Sequence, residues 1–217
     1  MPDTPLTEAV SEELFWDPKV DPAAIAAEAD YNGHVTLRGT VASFRQKHEA
    51  KRAAERVVGV TKVKNDLVVR ILDADRRDDS EVRGAVLQAL MLDSLVPSTI
   101  DARVKDGLVT LTGSASWQFE RDEAEMVVMN VIGVTGLEDE VYLTGELPDA
   151  YDITDSIKKA FKRNAKLDAK DISVATKGKT VTVSGVVSSL SEHDAAIDAA
   201  WAAPGVHKVE DHVLVEY

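Results

Sequence analysis

Four lysines in the last third of the chain, Lys158, Lys162, Lys166 and Lys170, recur at intervals of four, with Lys159 and Arg163 beside them. On a helix this spacing gathers the charges on one face. A cationic face behind the apolar positions Ile157 and Phe161 suits anionic phospholipid headgroups. It also suits a solvated helix resting on an acidic neighbour. Aromatic side chains offer a second kind of chemistry. Trp117 and Phe119 fall between a strand and a helix, where their rings either face a membrane or protein partner or pack within or between domains. Phe15 and Trp16 follow an amphipathic segment and are expected to be buried in their own domain or between domains, and Trp201 in a core or at a domain interface.

The residues that make and break bonds are arranged less suggestively. The five histidines, His34, His48, His193, His207 and His212, scatter over different elements. His207 and His212 lie five apart on one expected strand and so point to opposite faces, and no metal site is expected. The chain has no cysteine, which excludes disulfides, zinc-thiolate sites and a thiol nucleophile. Gly39, Gly113 and Gly185 each end a strand before a loop and a helix, as a phosphate cradle would. Each stands alone, without G-x-G-x-x-G or a following Lys-Ser/Thr, so a backbone role is expected for them. With no recurring Ser/His/Asp set or carboxylate pair, no catalytic residue and no cofactor are expected, and the chain reads as a binding protein rather than an enzyme.

A net charge of −13 over 217 residues opposes nucleic acid binding, which is driven by Lys and Arg displacing phosphate counterions; no nucleic-acid partner is expected. The same average opposes general attraction to an anionic bilayer, but a local basic face still acts within a Debye length of about 8 Å. The charge is unevenly spread. Residues 80–143 carry 4 basic and 11 acidic side chains, whereas 7–71 carry 10 of each and 154–217 carry 9 of each. There is no apolar run of about 18 residues and no basic stretch leading into an apolar one at the N-terminus. As written the chain reads as cytoplasmic, and as periplasmic or envelope-associated if a signal peptide has been removed.

Self-similarity organises the rest. Val35-Thr-Leu-Arg-Gly39, Val109-Thr-Leu-Thr-Gly113 and Val181-Thr-Val-Ser-Gly185 are each followed, 20 residues after the glycine, by Gly59-Val60, Gly133-Val134 and Gly205-Val206. Six residues further on stand Asn65, Asp139 and Asp211, each opening an alternating strand. An opening helix is expected from Val82, Val86 and Leu90 and from Ile153, Ile157 and Phe161. An alternating strand then runs into Asn32-Gly33, Asp106-Gly107 or Lys177-Gly178, predicting a hairpin through a type I′ turn. Ser43 with Gln46 and Ser189 with Glu192 are spaced as capping boxes for a second helix. That helix carries Ala50, Ala124 or Ala196 on its inner face and runs to Gly59, Gly133 or just short of Pro204-Gly205. A third strand returns beside either strand one or strand two.

The expected fold is α+β: three tandem αββαβ domains at 6–71, 80–143 and 153–217, each a three-stranded mixed sheet packed on two helices. Polar stretches at 73–79 and 144–152 serve as linkers. Domains of about 65 residues have marginal cores, so packing between domains or chains is expected to contribute, and open sheet edges offer a route to a homo-oligomer.

V-T-L-x-G, a helix rich in small residues, G-V-x-x-V/L-x-N/D and an alternating last strand together resemble the BON family, the bacterial osmotic-stress and nodulation domain, over almost the whole chain. The resemblance implies a non-enzymatic module linked to envelope stress that binds phospholipid or another hydrophobic ligand. Family members with paired copies are commonly exported or lipid-anchored, whereas this chain shows neither a signal peptide nor a lipobox cysteine. The second copy carries Trp117 where the others carry Ser43 and Ser189. The candidate ligand-binding residues are Lys158, Lys159, Lys162, Arg163, Lys166, Trp117 and Phe119.

Overall fold

A computed structural model describes residues 3–73, 76–146, 153–164, 167 and 172–216. In the first copy, Asp3 accepts from the backbone N–H of Leu6 at 3.2 Å and starts α1 (Thr4–Trp16), which buries Val10 and Leu14. A short 3-10 turn leads to β1 (Ile25–Ala29) and β2 (His34–Val41), then α2 (Phe44–Glu55) and β3 (Lys62–Val69). The second copy repeats the order with α3 (Asp79–Leu92), β4 (Asp101–Lys105), β5 (Leu108–Thr112), β6 (Ser114–Ala115), α4 (Gln118–Met129), β7 (Gly136–Asp139) and β8 (Tyr142–Leu143). The third follows with α5 (Ile153–Arg163), β9 (Ile172–Lys177), β10 (Thr180–Val187), α6 (Leu190–Trp201) and β11 (Lys208–Val215).

Each copy is an α+β unit of αββαβ order; in the second, the last two strands are each interrupted, into β5 with β6 and β7 with β8, and β6 pairs in parallel with β8. The hairpin of each copy is antiparallel, and the last strand pairs in parallel with the second strand of the hairpin, as β3 does with β2, β7 with β5 and β11 with β10. The second strand is therefore central. Period-two alternation marks which face of a strand is buried but not on which side a crossover returns, so this order comes from the structure alone. Val35, Leu37 and Val41 of β2 point inward between exposed or half-buried neighbours. They meet Val10, Leu14, Ala50 and Ala53 from the two helices in one apolar cluster, and the other two copies hold clusters of the same kind.

Gly39 sits at φ +127°, and a Cβ there would lie 1.9 Å from the carbonyl oxygen of Ala24. Gly113 repeats the situation at φ +113°, 2.1 Å from the oxygen of Thr99. Only a residue without a side chain lets the hairpin strands approach so closely. The hairpin turns are less uniform than their sequences. Asp106 and Gly107 both take positive φ, +54° and +76°, as a type I′ turn requires. In the hairpin turns of the first and third copies only the glycine, Gly33 or Gly178, takes positive φ.

The Asn or Asp six residues past the second glycine fastens the last strand to the second helix. Its side-chain oxygen accepts from the backbone N–H two residues on, in Asn65 at 3.3 Å, Asp139 at 2.8 Å and Asp211 at 3.0 Å. Its outer atoms reach the helix: Asn65 donates to the Lys47 carbonyl at 2.7 Å, Asp139 pairs with Arg121, and Asp211 binds His193 Nε2 at 2.8 Å.

The copies meet at helix ends, since the elements that pack extensively on one another all belong to the same copy. Phe44, the first residue of α2, packs against the second core, and Arg45 donates to Asn130 just past α4 at 3.1 Å. Gln118 and Phe119, which begin α4, share a cleft with Trp201 and Ala202 at the end of α6. Leu190, which begins α6, packs against the first core. The joints after the last strands follow the same cycle. Val69 to Ile71 lie beside Gly107 and Gly133, and the Gly145 carbonyl accepts from Lys179 Nζ at 3.0 Å. Val215 and Glu216 border Asp3, Leu6, Gly33 and Gly59. The third copy thus returns to the first, and the three close head to tail into a ring, a heterologous contact repeated until it closes.

Candidate functional site

Aligned on their last buried residue, Leu14, Leu90 and Phe161, the three opening helices place Phe15-Trp16, Met91-Leu92 and Lys162-Arg163 at the same two positions. The first pair is 67% and 70% exposed and the second 78% and 73%, so large apolar side chains stand in water at two helix ends. The expectation that Phe15 and Trp16 are buried, in their own domain or between domains, is therefore corrected. Val10 and Leu14 take the inward positions of α1, and the two residues that follow emerge on the outward side, where their rings touch edge to face with centroids 5.7 Å apart.

The third helix end is basic. Ile153, Ile157 and Phe161 fill the inward face of α5, leaving Lys158, Lys159, Lys162 and Arg163 exposed. Lys159 pairs with Asp155 one turn earlier at 2.6 Å. Helix α5 is described to Arg163; Lys166 and Lys170 lie outside the described residues. The basic face turns its near edge to α6, for Lys159 and Arg163 border a hollow with Ala199 and Ala202.

Trp117 and Phe119 are not part of that face. They stand at the start of α4 on the seam with the third copy, 38% and 52% exposed, and Trp201 reaches the same seam while packing against both the second and third cores. Ser43 and Ser189 cap their helices by accepting from Gln46 at 3.1 Å and Glu192 at 3.2 Å. An indole accepts nothing, so at Trp117 only Glu120 reaches back, to the backbone N–H groups of Ser116 at 2.6 Å and Trp117 at 3.0 Å.

The electrostatics of α4 match its composition. Burial, with Asp139 and Asp122 close by, pushes the Glu125 carboxyl up to about 7. Asp122 is raised as well, by burial first, against the opposing influence of Gln118 and Arg121. In the third copy, Asp194 and Asp211 both bind His193 and raise its pKa above the ordinary histidine value. Glu49 in the first copy is almost fully buried. Burial works against its charge, but Lys19 and Arg45, at 3.2 and 2.6 Å, outweigh that and hold its carboxyl below the usual range. Sequence reading passed over Glu49, whose signal was a glutamate at an inward helical position beside Ala50. Among the described residues no cluster of three or more His, Asp or Glu is placed to hold a metal ion, and no helix is long and apolar enough to cross a membrane.

The family model for the BON domain matches three stretches, residues 2–71, 78–145 and 149–217. The chain belongs to the BON domain family. The chain is also similar to Osmotically-inducible protein Y of Escherichia coli (strain K12), 30% identical over 148 residues that cover 65% of this chain and 72% of that protein. Among solved structures, the C-terminal domain of CdsD, described as the structural protein of the Type III secretion system of Chlamydia trachomatis, aligns over 100% of both chains with 12% identity and a TM-score of 0.27. The PrgH periplasmic domain aligns over 89% of this chain and 95% of its own, with 8% identity and a TM-score of 0.24.

Proposed function

We propose that this protein binds phospholipid surfaces, without enzymatic activity, in an osmotic-stress or envelope-related role. The observation that carries the reading is the set of three equivalent helix ends: two expose large apolar side chains and the third exposes basic ones. Because the head-to-tail contact is repeated, the three helix ends occupy equivalent positions in the ring. Aromatic and aliphatic side chains enter the headgroup boundary while Lys and Arg meet anionic phosphates, each contributing about 1 kcal/mol near the surface. Lys158, Lys162 and Arg163 are the proposed phosphate contacts, with Lys159 shared between Asp155 and the lipid. Trp117 and Phe119 face the adjoining seam. The name of the Escherichia coli relative supports the osmotic setting.

Co-sedimentation with vesicles of phosphatidylglycerol and phosphatidylcholine tests this. Binding is expected at low salt and weakens as salt rises. Reversal of Lys158, Lys162 and Arg163 to Glu lowers affinity about a hundredfold or more, and Phe15→Ser with Trp16→Ser lowers it while leaving the salt dependence in place. Vesicle binding that both sets of variants leave unchanged overturns the assignment.

A further inference from the structure

The three seams of the ring are built from the same helix ends but are not filled alike. At two of them the first residue of the incoming helix is apolar and packs against the neighbouring core, Phe44 on the second copy and Leu190 on the first. At the third that place belongs to Gln118, whose amide donates to Asp122 at 2.8 Å. The seam is left as a cleft of about 490 Å³ bordered by Trp117, Phe119, Trp201 and two carboxylates, Asp122 and Asp198. At the positions equivalent to these aspartates the first seam has His48 and Met126, and the seam closed by Leu190 has Asp194 and Arg52. Only the open seam puts an acid on both sides.

We propose that this cleft binds a small organic ammonium ion, with an alkylated or quaternary nitrogen, between the rings of Trp117, Phe119 and Trp201 and beside the carboxylates of Asp122 and Asp198. Aromatic faces attract cations, and most strongly cations that shed their water readily, as alkylated ammonium groups do. A hard metal ion has no use for three rings, and a neutral apolar ligand has none for two acids. Trp117 itself points the same way: it occupies a helix-capping position where the sister copies gain a hydrogen bond from serine, and it gives that bond up for an indole. Burial raises the Asp122 carboxyl, and a positive charge bound beside it favours its ionised form.

The ammonium group is carried either by a free solute or by a phospholipid headgroup, and the two are separated by the probe. Fluorescence of a Trp16→Phe chain, whose remaining indoles are Trp117 and Trp201, is titrated with tetramethylammonium and with choline at fixed ionic strength, against the neutral isostere 3,3-dimethylbutan-1-ol. A saturable change is expected with both cations and not with the alcohol. Trp117→Ser and Gln118→Leu import the residues of the sister seams and so keep the fold, checked by circular dichroism. Each is expected to weaken the response about tenfold or more, as is Asp122→Asn with Asp198→Asn. Vesicles of phosphatidylcholine added afterwards compete with choline if the headgroup is the source and leave it bound if a free solute is. No saturable response to either cation, an equal response to the alcohol, or an undiminished response in Trp117→Ser overturns the proposal. These cations do not engage the basic helix, so this outcome is independent of binding to anionic vesicles.

Discussion

Between the first and second copies, Phe44 fills the neighbour's surface and Arg45 bridges from the buried Glu49 to Asn130. Between the second and third, the same helix positions hold Gln118 and Phe119, and the space stays open. The difference comes from side chains at the first turn of one helix, since the backbone that delivers them is repeated. A threefold arrangement therefore needs only some of its seams filled to stay closed, and an unfilled one is free to take a ligand.

The contrast is broken most severely at Glu49. Glu49→Ala leaves Arg45 and Lys19 without their common partner, and loss of two hydrogen bonds between charged groups is expected to cost about 3 kcal/mol, read as a shift of the urea midpoint. In the intact protein this stabilisation is fully present above the ordinary glutamate value, near 4.5, and is lost as pH falls through the lowered one. A smaller loss, about 2 kcal/mol, is expected from Phe44→Gln, which gives the filled seam the residue of the open one. If the variant matches the original in urea unfolding, Phe44 is not a plug. The least effect belongs to Glu125 on the acidic α4. Its carboxyl is raised to about 7 in the folded chain, so the folded state binds the extra proton, and that contribution is present below about 4.5 and lost as pH rises through 7. Glu125→Gln is expected to flatten the decline in stability across this window and to exceed the original by about 1 kcal/mol at pH 8, after discounting for partial exposure. His193 is also raised, and its decline at higher pH persists in the variant and separates the two groups.

Much of the fold was legible because it is local. Ser43 with Gln46, Ser189 with Glu192, Gly39 with its partners and the Asn65/Asp139/Asp211 positions all act within a few residues or at a fixed offset, and spacing alone reveals them. The parallel placement of β3 beside β2 depends on where a crossover lands, which no periodicity records. Phe15 and Trp16 were misjudged because large rings next to an apolar stripe read as part of it, although alignment with Lys162-Arg163 exposes that position as an outward one. Trp117 stood out as the odd residue of its copy, yet its partners Asp198 and Trp201 come from another copy and meet it only once the ring is closed.

The meeting of Val215 and Glu216 with Asp3, Leu6, Gly33 and Gly59 gives the chain no privileged starting point. Two joints of the ring are crossed by the backbone and the third is held by contact alone, yet all three bring a last strand to the next copy's hairpin. A circular permutant opened between Asp73 and Arg76 and joined across this third joint keeps every neighbour it had. What changes is which joint is free to open. The clasp through which the ring gives way under load is thus a matter of where the covalent chain is interrupted, and not of the copy it falls beside.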